Sequence, residues 1–172
     1  MKHLLQICIV TLLYFVISNE AIAQTCLPTL PQAFVNTTYA LPSRKTITVN
    51  SGGNLQAAID QANLGDIIEL QAGATFTGNF ILRKKTGSGW IYIRSSKESA
   101  LPVPGTRITP TDAVNMAKVL SAGQVSAFAT VAGAYNYRLI GLEIGLPTSV
   151  IDQFTLVSFG SGSENKLSDL PN

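Results

Sequence analysis

Asn54-Leu55-Gln56-Ala57-Ala58-Ile59-Asp60-Gln61-Ala62, followed at once by Leu64-Gly65-Asp66-Ile67-Ile68-Glu69-Leu70, is the stretch on which the fold turns. Its first half reads as a short helix. Asn54 suits the N-cap, because its side-chain oxygen can accept a hydrogen bond from a free N–H of the first turn. Leu55, Ala58, Ile59 and Ala62 follow at i, i+3, i+4 and i+7, which makes one apolar stripe. Gln56, Asp60 and Gln61 take the wet side. Asn63 and Gly65 supply the stop. The second half, Ile67-Ile68-Glu69-Leu70, is short, β-branched and bounded by turn residues, so it reads as a strand.

The texture on either side is consistent with this reading. Thr46-Ile47-Thr48-Val49 is an alternating strand ended by Gly52-Gly53. Beyond Leu70 come the runs Asn79–Leu82, Trp90–Arg94, Lys118–Leu120, Ala127–Ala132, Tyr137–Ile144 and Thr155–Phe159, each closed by Gly, Asn, Ser or Pro. No helix separates them. Ile67 and Ile91 lie 24 residues apart, and Ile93 and Leu142 about twice that. Many short strands allow a sandwich, a closed barrel or a coiled parallel β-helix. A repeat in the low twenties favours the coil, because each turn buries its inward side chains only by stacking on the next. A leading amphipathic helix suits a coil whose open end exposes apolar side chains and unpaired backbone.

The helix-to-strand stretch, continued by Ala72-Gly73-Ala74-Thr75-Phe76, resembles the opening of right-handed parallel β-helix proteins of the pectin-lyase-like superfamily. Tyr137-Arg138-Leu139-Ile140-Gly141-Leu142-Glu143-Ile144 is similar to a later rung of that group. The resemblance implies an all-β fold, a right-handed parallel β-helix with a short N-terminal capping helix. It leaves function open, since the fold hosts lyases, hydrolases, epimerases and non-enzymatic surface proteins. Members that cleave acidic polysaccharide often bind calcium and use an Arg or Lys beside a uronate. Others use two or three Asp residues for hydrolysis. Both types place these groups on the outer face of middle and later rungs. No Asp-Asp pair and no tight acidic group of calcium type occurs here, so catalytic residues and any calcium site are expected outside this chain. Gly160–Asn165 reads as a loop and the last residues as the approach to another strand. The chain is therefore expected to stop inside the fold and to be poorly soluble alone.

The expected organisation is a signal peptide over residues 1–23, an extended leader over 24–45, and the cap and first coils over 46–172. Lys2 and His3 give a positive start, Leu4–Ile17 an apolar run, and Ala21-Ile22-Ala23 a small-residue cleavage site. The apolar run falls short of the roughly 20 residues of a membrane span. A lipid anchor on Cys26 competes with cleavage behind Ala23, but Thr25 sits where a smaller residue is wanted. The mature protein is thus expected to be extracellular or periplasmic, with no stable membrane span. Cleavage removes Cys8 and His3, the one histidine. Cys26 is then the one remaining cysteine. An internal disulfide, a cysteine zinc site and histidine-based catalysis are excluded. A net charge of +2 is too small to argue for a nucleic-acid partner. With 13% charged and 46% apolar residues, the composition suits a sheet-rich extracellular protein.

Of the acids in the strand-rich part, Asp60 is expected on the wet face of the helix and Asp66 in a turn. Glu143 is expected on an outer sheet face. Arg83-Lys84-Lys85 reads as a solvated turn. Neither Gly52-Gly53 nor Gly87-Ser88-Gly89 carries a phosphate-loop lysine. Trp90, Tyr92 and Arg94 are the binding candidates. Alternation along a strand sends Ile91 and Ile93 to the core and these three to the outer face. Aromatic rings stack on sugar C–H surfaces, and Arg can hold a carboxylate with two bonds. The competing reading is that the leader or a loop packs over them. The expected partner is an extracellular polysaccharide, acidic or neutral, bound or cleaved. The alternative is a non-catalytic surface or adhesion module, and a small sandwich domain ranks third. No cofactor is evident. Mass analysis of exported protein should find Gln24 at the N-terminus; an exported chain that still carries Met1 would contradict the cleavage.

Overall fold

The computed structural model describes residues 42–160. The chain divides into two units, Met1–Thr38 and Tyr39–Asn172. The first unit lies outside the described residues, and with it the expected signal peptide and most of the leader. Residues 161–172 lie outside them as well.

Among the described residues, ten short strands and one α-helix follow in order. They are β1 (Thr46–Val49), α1 (Leu55–Gln61), β2 (Ile67–Leu70), β3 (Thr75–Thr77), β4 (Phe80–Leu82) and β5 (Ile91–Ser95), then β6 (Ala117–Leu120), β7 (Phe128–Thr130), β8 (Tyr137–Ile140), β9 (Leu142–Gly145) and β10 (Val157–Ser158). They form three sheets: A with order β1-β2-β5-β8, B with β3-β6-β9, and C with β4-β7-β10. All the strand pairings among the described residues are parallel. From β2 onward the chain passes through A, B and C in turn, and each pass pairs with the one before. The architecture is therefore all-β and parallel.

Register turns that order into a core. Ile47, Ile68, Ile93 and Leu139 are aligned in sheet A. Phe76, Val119 and Ile144 are aligned in sheet B. Phe80, Phe128 and Val157 are aligned in sheet C, and the two phenylalanine rings lie 5.8 Å apart and tilted. All ten side chains belong to, or pack against, one apolar cluster.

Helix α1 starts where expected. Asn54 accepts the Ala57 N–H through Oδ1 at 2.9 Å. Leu55, Ala58 and Ile59 are buried, as is Ala62 just beyond the last helical residue. Gln56 departs from the expected wet face. Its carboxamide accepts the Ile81 N–H at 2.7 Å and donates to the Ile81 carbonyl at 3.1 Å. It gives the edge strand β4 the pair of bonds that a neighbouring peptide unit would give.

Four other expectations are revised. Tyr137–Ile144 is two strands in two sheets, because the chain turns at Gly141. That residue has φ +61°, and a Cβ there would lie 2.7 Å from Leu101 Cδ1. The doubled spacing is one pass rather than two. Glu69 and its neighbour Arg94 are 25 residues apart, whereas Tyr92 and Arg138 are 46 apart. The excess is an insert between β5 and β6, carrying 3₁₀ segments at Glu98–Ala100 and Pro110–Asn115. Strand β3 is absent from the expected runs, since three residues hold too little alternation to stand out. Arg83 and Lys85 are not simply solvated: Arg83 Nε donates to Asp60 Oδ1 at 2.9 Å and Lys85 Nζ to the Asp60 carbonyl at 2.8 Å.

Ile59 is 0% exposed, so Ile59→Asp buries an unpaired charge and should cost about 3 kcal/mol or more. Gln61→Asp, on the exposed side, should be nearly neutral. Gln56→Ala leaves the Ile81 amide without its partner and should cost about 1–2 kcal/mol. Urea unfolding of the three variants checks this ranking, and equal midpoints would contradict it.

Candidate functional site

The outer face of sheet A carries two rows set by the same register. One is Thr46, Ile67, Tyr92 and Arg138; the other is Thr48, Glu69, Arg94 and Ile140. Trp90 lies just before β5, in phase with Tyr92 and Arg94. Ile91 and Ile93 are 0% exposed, so alternation assigns the two faces as expected.

The three candidates differ in their surroundings. Trp90 is partly exposed. The Arg138 guanidinium carbon lies 4.4 Å from its ring centre and 5.5 Å from that of Tyr92. Arg138 Nη1 also donates to the Tyr92 hydroxyl at 3.2 Å. Tyr92 itself is 2% exposed, so it supports Arg138 instead of presenting a face to a ligand. A cation over an aromatic face is worth about 0.5–1 kcal/mol where exposed and more where desolvated. Arg138 belongs with the site although the sequence reading passed over it. Its outward phase in Tyr137-Arg138-Leu139 was the available signal.

Arg94 is held by two carboxylates. Nη2 donates to Glu69 Oε2 at 3.1 Å and Nη1 to Glu98 Oε2 at 3.2 Å. Glu69 comes from the preceding pass and Glu98 from the start of the insert. Arg94 Nε is buried without a hydrogen-bond partner. Beside this cluster is a polar hollow of about 240 Å³ lined by Arg94, Ser95, Ser96, Glu98 and Ser99. On sheet B, Glu143 points outward as expected and pairs with Lys118 at 3.0 Å.

The remaining acids serve structure. Asp66 is buried and accepts the Asn63 N–H at 2.8 Å and the Lys45 N–H at 3.4 Å, which closes the turn into β2. Asp112 accepts the Thr109 N–H at 2.8 Å, and that bond holds its carboxyl below the usual range. Tyr137 donates its hydroxyl to the Arg83 carbonyl at 2.7 Å, and burial pushes its pKa up to about 12. It therefore stays protonated near neutral pH and does not act as a base there. A larger hollow of about 450 Å³ is lined by Leu139, Leu142, Ile144 and the apolar start of the insert, where Val103 and Ile108 are exposed.

Among the described residues, no three His, Cys, Asp or Glu side chains come together as metal ligands. Calcium takes about six to eight oxygens. Among the described residues, Asp60, Glu69, Glu98 and Glu143 are held by basic side chains and Asp66 and Asp112 by turn hydrogen bonds, so these carboxylates do not gather for it. No helix among the described residues is long and apolar enough to cross a membrane. The outer face of sheet A thus carries a partly exposed indole and two guanidinium groups.

The Asp60–Arg83 pair sets a pH dependence. Arg83's hydrogen bond is the main cause that holds the Asp60 carboxyl below its ordinary 3.8. A depressed carboxylate stabilises the fold above its unfolded pKa, and that contribution is lost as pH falls through the folded value. Wild type should therefore exceed Asp60→Asn in urea midpoint near neutral pH. The gap should be small, because exposed pairs are weak, and it should close below pH 3.8. A gap that widens in acid would contradict the assignment.

No family model matches this chain, and no curated protein matches it. Among solved structures the chain is similar to an alginate lyase from Paenibacillus sp. str. FPU-7, at 24% identity with a TM-score of 0.43. The likeness covers 59% of this chain and 31% of that one, so the chain spans about a third of that enzyme's length.

Proposed function

We propose that this chain forms coils of a secreted right-handed parallel β-helix of the pectin-lyase-like kind, and that the outer face of sheet A binds an extracellular polysaccharide. Three parallel sheets visited in turn support the coil. Parallel crossover connections are right-handed in the great majority of cases, which supports the hand. Helix α1 supports a capped end, since it buries an apolar stripe against the first pass while Gln56 completes the edge of β4.

The observation that carries the function is the Trp90–Arg138 pair on that face. The indole is partly exposed and fixed beneath a cation, with a second guanidinium, that of Arg94, four residues farther along the chain. Trp90 and Arg94 are separated by about 13 Å along β5 at the usual strand rise, a span suited to more than one sugar unit. The aromatic surface suits the C–H face of a sugar, and the guanidinium groups suit its hydroxyls or carboxylates.

A binding module without catalysis is the second reading. It is favoured by one observation: Glu69, Glu98 and Glu143 are all engaged by basic side chains. Among the described residues of sheets A and B, no pair of carboxylates free of basic partners is set apart for sugar hydrolysis.

Trp90→Ala should lower retention on an immobilised polyuronate by about threefold to tenfold, the scale of one aromatic contact. Circular dichroism should stay unchanged, and the melting temperature should fall by no more than a few degrees, the scale of the lost cation–π contact. Undiminished retention would remove the reading's main support. Incubation with uronate polymers, with and without calcium, separates the two readings: chain shortening indicates an enzyme, and binding without shortening indicates the module.

A further inference from the structure

We infer that Glu98 is an internal stand-in for a ligand carboxylate: it occupies Arg94, and the carboxylate of an acidic sugar displaces it. This inference rests on the polysaccharide reading above and gives it a chemical preference, for uronates over neutral glycans.

Arg94 is the natural carboxylate reader on the outer face, yet both of its terminal nitrogens are already taken. Each is taken by a single bond to a different glutamate. A guanidinium binds a carboxylate best through two parallel N–H···O bonds, and neither glutamate supplies that geometry. The consequence is visible at Nε, which is buried and has no partner. The two glutamates differ in how readily they can leave. Glu69 lies within β2, fixed by strand pairing on both sides. Glu98 opens a single 3₁₀ turn in the insert, and its side chain is 35% exposed. The polar hollow borders Arg94 and Glu98 together. It is smaller than the roughly 300–1,000 Å³ of drug-sized ligand sites, so it suits one charged substituent of a longer chain. A sugar carboxylate entering there replaces the single bond of Glu98 to Nη1 by an end-on two-bond pair through Nη1 and the second hydrogen of Nη2, and Glu98 swings into solvent.

The test uses the whole chain with a polyuronate and a neutral glucan of similar length. Glu98→Gln should bind the polyuronate roughly fivefold tighter, the scale of one exposed ion pair removed from competition, with binding of the glucan unchanged. Glu143→Gln removes the same charge from sheet B and should give no such gain. The gain should vanish when Arg94→Gln is added. On the wild-type protein, the Arg94 Nε–H resonance should shift on titration with polyuronate and stay still with glucan, a readout that needs no variant to fold. Unchanged or weaker binding by Glu98→Gln, an equal gain in Glu143→Gln, or a silent Arg94 resonance overturns the inference. Trp90-dependent polyuronate binding with no gain in Glu98→Gln would sink this inference alone. Absence of any polyuronate binding in both wild type and Glu98→Gln would sink the reading beneath it as well.

Discussion

Register between parallel strands is the constraint on which everything else here depends. Sheets A, B and C are each built by laying a strand beside one from the preceding pass, so a residue's neighbour across the sheet is fixed by pairing and not by proximity in sequence. That places Ile68 on Ile47 and Ile93 on Ile68 in the core. The same pairing places Arg94 on Glu69 and Arg138 on Tyr92 outside it. A slip of one residue would exchange the two faces. In β5 it would turn Arg94 into the core, away from Glu69, and expose Ile91 and Ile93. The apolar ladder inside thus fixes the polar ladder outside, and the candidate site needs no separate scaffold.

Ionic groups on the outer faces follow from that arrangement. Parallel stacking brings like positions of successive passes close together, so an unmatched charge would sit near whatever lies above and below it. Glu69 with Arg94 and Lys118 with Glu143 answer that locally. Exposed pairs of this kind contribute little to stability. Their importance lies in what they leave open, and Arg138 spread over two aromatic rings is the departure from the pattern.

Much of this could be read from the chain itself. The 3.6-residue stripe from Leu55 to Ala62 marked the helix, and alternation around Ile91 and Ile93 gave the faces of β5 correctly. These are local signals, carried within a few residues. What could not be read is set by partners far away. Nothing near Tyr92 records that Arg138, 46 residues on, will lie against it. Nothing near Gln56 records that its amide will meet Ile81. The insert was misread for the same reason: a doubled spacing fits one long pass as well as two short ones, and only pairing decides. Burial of Tyr92 was likewise invisible, because alternation gives the side of a sheet but not what lies over it.

The insert between β5 and β6 also makes the architecture modular. One pass is nearly twice as long as another, yet the strands on both sides keep the same neighbours and the same alignment. Length in that connection is thus uncoupled from the ladder. Doubling a flexible loop adds only about 0.6 kcal/mol of closure entropy, far less than the core rows contribute. Apart from the residues that pack on the sheets, such as Leu101 against Gly141, the segment that begins at Glu98 can therefore be rewritten, and the neighbouring face reshaped, while the pairing of the three sheets stays the same.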